Sequence, residues 1–145
     1  MLSDMFAVKD KLMAFSDLTT YIAVQFDNAT ANHFIGYRKI SNLEFLPAFC
    51  YWVDTALVNP QEAETRISIS VQIMNKDDDG DTQQGIVQIA TMADMIIEHL
   101  MHNPNFGRLW LVDKKQGIAV AIDIEQKFPN FGVFLSVPIL KLQTK

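Results

Sequence analysis

The stretch ETRISISVQIMN, from Glu64 to Asn75, decides the fold class of this chain. Isoleucine or valine occupies every second position from Ile67 to Ile73, and small or polar residues stand between them. This period of two is typical of a β-strand with one face on a core and the other on water or a partner. The outward row of this strand is Arg66, Ser68, Ser70 and Gln72.

A helix is predicted after this strand and the polar loop 76–84. Apolar residues of the following segment recur at helical spacing, and Asn103-Pro104 ends the pattern, so we expect a helix over about 83–102. The predicted apolar stripe is Ile86, Ile89, Ala90, Ala93, Ile96, Ile97 and Leu100.

The segments before the strand predict one helix and several short strands. Ser3-Asp4 resembles a helix N-cap, and the apolar residues after it recur at steps of three and four, which predicts a helix over about 4–17. Residues 20–26, TYIAVQF, have the composition and alternation of a strand, and 33–37 predicts a second one. Residues 45–53 are apolar and aromatic, and Pro47 suits a strand edge or a strand beginning.

The last third of the chain is predicted to be β. Residues 109–112 form a candidate strand, 118–124 alternate between isoleucine or valine and other residues, and 128–132 suit a turn. The final run, 133–142, is apolar on both faces, which fits a central strand or one between subunits. We therefore expect one α+β domain over 1–145, with a mainly antiparallel sheet and two principal helices on one face.

Composition fits a globular protein and disfavours nucleic acid as the primary ligand. Of the 145 residues, 49% are apolar and 20% are charged, which argues against a disordered chain. Lys and Arg number 12 against 17 Asp and Glu, a net charge of −5, whereas a protein that grips phosphates carries a basic excess. The sequence shows neither a secretory signal nor an apolar run long enough for a membrane span, so no membrane partner is expected.

The single cysteine and the acidic loop are the first candidates for site chemistry. Cys50 lies in the apolar run 49–52, which favours a buried, inert thiol over a reactive one. Asn75, Asp77, Asp79 and Gly80 match the beginning of a calcium loop, but Ile86 stands where the bidentate Glu belongs. The loop is therefore interpreted as a solvated acidic connection.

Histidines supply the other candidates for catalysis or metal binding. His99 and His102 are three residues apart on the second predicted helix, a spacing that could begin a zinc site, but the H-E-x-x-H pattern is absent. His33 could act as a base, although nothing at a recognisable spacing pairs with it, and no nucleophile or phosphate-binding motif occurs. We expect no enzymatic activity, no cofactor and no metal. A domain that binds a small ligand or metal through Asp77, Asp79, His99 and His102 stays open as an alternative.

The order of elements between Leu46 and Asn105 carries a resemblance. An apolar stretch opened by a proline, the alternating strand 65–73, an acidic loop and the helix from Ile89 to Leu100 follow an N-terminal helix and strand. This order resembles the small tail-terminator and tail-completion proteins of tailed bacteriophages, of the kind seen in phage lambda. The resemblance covers most of the chain as a pattern, without signature residues.

The resemblance implies a structural virion protein that is made in the host cytoplasm. Such a protein forms a ring, typically a hexamer, at the head-proximal end of the tail tube, ends tube polymerisation and joins the tail to the head–tail connector. DNA passes through the ring without tight binding, which the acidic balance suits. A head-completion or stopper protein of the neck is the alternative within this class.

A closed ring needs two different contact surfaces on each subunit. The outward row of the central strand, the acidic loop and a second strand with acidic residues are the expected surfaces. The candidate interaction residues are Arg66, Ser68, Ser70, Gln72, Asp77, Asp78, Asp79, Asp81, Asp123 and Glu125.

Overall fold

The computed structural model describes residues 2–36, 47–59, 64–76, 82–105, 110–122 and 130–142. Within these residues the chain forms three helices and six strands, which confirms the α+β class. In chain order the elements are α1 (Leu2–Met13), α2 (Ser16–Gln25), β1 (Asn32–Ile35), β2 (Ala48–Asn59), β3 (Glu64–Lys76), α3 (Thr82–His102), β4 (Trp110–Val112), β5 (Ala119–Ile122) and β6 (Asn130–Leu142). None of the described helices is long and apolar enough to cross a membrane.

The described strands form one sheet in the order β1-β2-β3-β6-β4, and β5 also pairs with β6. Every pairing is antiparallel except that of β1 with β2, which is parallel. The expectation of a mainly antiparallel sheet is therefore confirmed. The final strand, β6, is a central strand of the monomer, because β3 lies along one side of it and β4 and β5 along the other.

The core lies between the helices and one face of the sheet. The alternating apolar row of β3 is buried, as predicted, and it belongs to one cluster with the facing row of β6, which includes Leu135 and Val137. All three helices contribute to the same cluster, for example through Leu12, Leu18 and Ile96. Burial of each such aliphatic side chain stabilises the fold by about 1.5–3 kcal/mol.

The predicted strand over 20–26 is wrong, because these residues belong mostly to helix α2. Leu18 and Ile22, four residues apart, are both buried in the core, while Val24 is 72% exposed. The β-like composition of this segment is a weak preference, and burial of a stripe with helical spacing outweighs it. The first helix accordingly ends at Met13 instead of about residue 17, and the described chain has three helices instead of two principal ones.

Helix α3 confirms the prediction over 83–102, with a narrower buried stripe than expected. Ile89, Ala93, Ile96 and Leu100 are buried, together with Met92. Ile86 and Ala90, at the flank of the stripe, are exposed. The predicted stripe therefore includes two positions that the sheet does not cover.

Pro138 of β6 explains why the pairing along one side of β6 is interrupted between β4 and β5. Pro138 accepts a hydrogen bond from the Asp113 N–H at 2.9 Å, so its backbone faces the side of β4 and β5. Proline has no N–H to offer there, and β4 ends opposite Ile139 while β5 begins opposite Ser136. The six residues 113–118 leave the ladder at this point and return to it as β5.

Candidate functional site

The outward row of β3 lies on the sheet face opposite the helices, but only one end of the row is open. Arg66 is exposed and Ser68 is half-buried, whereas Ser70 and Gln72 are buried. Ser70 and Gln72 therefore do not face water, and a contact of this row with a partner stays a prediction. Ser68 shares a 2.8 Å hydrogen bond with Ser136 of β6 through the two hydroxyl groups.

Two aromatic rings account for the buried end of the row. Trp52 stands opposite Ser70 on β2, and Phe134 stands opposite Gln72 on β6. The two rings meet edge to face, with centroids 5.9 Å apart, although β3 lies between their strands. The rings therefore extend across β3, where Ser70 and Gln72 lie.

The open end of the row lines a shallow pocket of about 180 Å³. Strands β2, β3 and β6 form its floor, and the 113–118 segment forms one wall. Arg66 supplies a cationic group, Asp113 an anionic group, and Leu57 and Leu140 an apolar surface. The lining residues are Thr55, Ala56, Leu57, Arg66, Ile67, Ser68, Asp113, Gln116, Pro138, Ile139 and Leu140.

Local turn chemistry shapes the wall of the pocket. The Asp113 carboxylate accepts hydrogen bonds from the backbone N–H groups of Lys115 at 3.2 Å and Gln116 at 3.4 Å. Gly117 closes the turn with a φ of +77°, a conformation that side chains with a Cβ disfavour. The wall is therefore built by residues whose sequence favours a turn.

The acidic candidates lie outside the described residues. Asp77, Asp78, Asp79, Asp81, Asp123 and Glu125 have no described position, so their proposed contacts stay predictions. Asn75, the first residue of the calcium-like pattern, is buried at the end of β3. Its side-chain amide donates to Gln88 of α3 at 3.3 Å, which links strand and helix.

Half-buried His33 of β1 and buried Tyr51 of β2 form a hydrogen-bonded pair close to α1. His33 Nδ1 and the Tyr51 hydroxyl share a 2.7 Å hydrogen bond, and the imidazole stacks on Phe49 with centroids 5.0 Å apart. Burial, with the charge of Lys9, lowers the pKa of His33 to about 4. Burial also raises the pKa of Tyr51 well above its ordinary value, with smaller contributions from Cys50 and Asp10. Both side chains are therefore neutral near pH 7, which suits a packed polar contact.

The two histidines at the end of α3 have separate contacts. His99 stacks on Phe15 with centroids 3.8 Å apart, and His102 Nδ1 lies 3.0 Å from the Glu98 carbonyl oxygen. Partial burial, with Lys11 nearby, lowers the pKa of His99 although Asp17 opposes the shift. No group of three or more His, Cys, Asp or Glu side chains suited to a metal occurs within the described residues. Cys50 is buried, as predicted.

Comparison of the sequence with protein-family models and with curated proteins finds no match.

Two features of the surface were not predicted from the sequence. The first is the pocket, which depends on residues from four segments that the sheet brings together. Pro138 is a local signal in the sequence for the interruption between β4 and β5. Strand β5 was predicted as an alternating strand, but all four of its residues are exposed. Exposure of this kind depends on which strand lies beside β5, which the alternation alone does not specify.

Proposed function

We propose that this protein is a tail terminator of a tailed bacteriophage, a structural protein of the virion that forms a ring. The ring, a hexamer, sits at the head-proximal end of the tail tube, ends tube polymerisation and joins the tail to the head–tail connector. DNA passes through it without tight binding, in keeping with the net charge of −5. The proposal rests on the element order described above and on the distribution of exposed apolar side chains.

The observation that carries the proposal is that large apolar side chains are exposed on opposite sides of the molecule. Leu57 is 65% exposed and stands opposite Arg66, on the sheet face away from the helices. Ile86 and Val87 are exposed on α3, in the helix layer. Ring closure by rotation requires two different surfaces on each subunit, and exposed apolar residues mark such surfaces.

The volume of the pocket beside Arg66 fits a protein contact surface better than a small-ligand site. Its volume of about 180 Å³ is below the range of about 300–1,000 Å³ that ligand pockets occupy. A single side chain of a neighbouring protein fits such a volume, and Arg66 and Asp113 are among the residues that line it. The open end of the β3 row is therefore one of the two proposed contact surfaces.

The test is a tube-length assay with the tail tube protein encoded by the same genome. Added wild-type protein is expected to shorten the tubes in a concentration-dependent way and to be found as a ring at one tube end. Leu57→Lys places a charge on the proposed contact. The protein concentration required to shorten the tubes should therefore rise by roughly tenfold or more. Met13→Lys, at a half-exposed position of α1, is the matched control and should act like wild type.

The proposal is wrong if wild-type protein never associates with tubes and leaves their length unchanged. Association with the portal-side connector alone would instead assign the protein to the head-completion or stopper class.

A further inference from the structure

Strand β5 presents an outer edge that no described residue covers. Along β4, the same side of the sheet is covered, because the Val112 N–H donates to the Pro104 oxygen at 2.8 Å and Asn105 bridges to Leu111. The pairings described for β5 involve β6 alone. Val120 is 53% and Ile122 78% exposed.

The sequence of this edge strand lacks two of the features that keep natural sheet edges apart. Proteins usually protect an edge strand with charged residues, proline or a covering segment. The segment Gly117 to Ile122, GIAVAI, contains neither charge nor proline. A second copy of the same strand meets no like charge there, although the chain as a whole is acidic.

The ladder with β6 identifies which backbone groups point outward. Pro138 directs its carbonyl toward β4 and β5, so Ser136 and Phe134, two and four residues away on a regular strand, direct their backbone groups the same way. Their partners Ala119 and Ala121 therefore make the hydrogen bonds to β6. The N–H and C=O groups of Val120 and Ile122 point to the open edge.

We propose that two copies of this chain pair through their β5 strands, antiparallel and centred on Ala121. In this register Val120 of each copy stands opposite Ile122 of the other, so all outward backbone groups of both residues are used. Registers that place Val120 opposite Ala121 are excluded, because an outward-pointing residue would then face an inward-pointing one.

The same register also buries the exposed side chains of the edge. Val120 and Ile122 lie on one face of the sheet, since they stand opposite the core residues Leu135 and Val133. Each valine then packs against an isoleucine of the other copy, a cross-strand pair that strands favour. The dimer forms one continuous sheet with both sets of helices on the same face.

This contact is isologous, so it is separate from the head-to-tail contacts of the proposed ring and does not depend on that function. Two four-residue strands bury far less than the roughly 1,600 Å² of a standard interface. The dimer is therefore weak and forms with rising protein concentration.

Cysteine substitution on the full chain tests the register directly. In the proposed pairing the two Ala121 residues form a non-hydrogen-bonded pair with Cα atoms about 4.5 Å apart, within the range that a disulfide spans. Under mild oxidation Ala121→Cys is expected to convert most of the protein to a covalent dimer of twice 16.4 kDa. Ala119→Cys is the matched control, on the same exposed strand and face, but its two copies would lie about 14 Å apart and should not cross-link.

Sedimentation measurements supply a second readout. The average mass of the wild type should rise between roughly 10 µM and 1 mM protein, while Ile122→Lys should stay monomeric at all concentrations with an unchanged circular dichroism spectrum. Equal cross-linking of the two cysteine variants, cross-linking of Ala119→Cys alone, or no dimer in either experiment would overturn the proposal.

Discussion

At the scale of single residues, His33 shows how burial determines the state of a polar group. Its imidazole is neutral because desolvation lowers the pKa to about 4, and Tyr51 satisfies Nδ1 at 2.7 Å. A histidine with such a pKa is a poor base at neutral pH, and its contact with a buried tyrosine belongs to packing. The sequence identified His33 only as a possible base, because its partner lies 18 residues away on the neighbouring strand.

His33 is expected to make stability depend on pH. In the unfolded chain it titrates near 6.5, so between about pH 6.5 and 4 the unfolded state binds a proton that the folded state does not. Stability from this residue is therefore fully present above pH 6.5 and falls as the pH drops toward 4. After discounting for the partial exposure of His33, we expect the free energy of unfolding to fall by about 1–2 kcal/mol between pH 6.5 and 4.

Urea unfolding at pH 7 and pH 4.5 measures this loss. His33→Asn should lower stability at pH 7 and show a weaker dependence on pH than wild type. His102→Asn, at an exposed position, serves as the control and should follow the wild-type profile. An identical dependence in wild type and His33→Asn would remove His33 as the cause.

At the scale of elements, periodicity predicted the segments where one face is clearly buried. Strand β3 and helix α3 were predicted to within about a residue or two at each end, since alternating Ile and Val in one and helical spacing in the other are strong signals. Helix α2 was missed, because its β-branched and aromatic residues favour a strand locally. The alternation of β3 did not predict the cover over Ser70 and Gln72, because that cover comes from rings on two other strands.

Substitutions in α2 test its assignment as a helix. Leu18→Ala removes a buried core side chain and should destabilise the protein by about 2–4 kcal/mol. Val24→Ala, on the exposed side, should change stability by less than about 0.5 kcal/mol, because alanine is also the better helix former. Denaturant unfolding measures both. Similar losses in the two variants would contradict a helix with one buried face.

At the scale of the whole molecule, the fold leaves apolar side chains exposed in both layers and along one sheet edge. The exposed residue on the outer sheet face is Leu57. Those in the helix layer are Ile86 and Val87, and those on the open edge are Val120 and Ile122. This distribution favours a protein that works by contact with other chains.

Electron cryo-microscopy of purified phage tails tests this account most directly. The account predicts a single ring of this chain, with six copies, at the head-proximal end of the tail tube, and the outer sheet face near Leu57 in contact with a neighbouring chain. Tails in which this chain is absent, or particles in which it occurs only as an isolated subunit, would contradict the account.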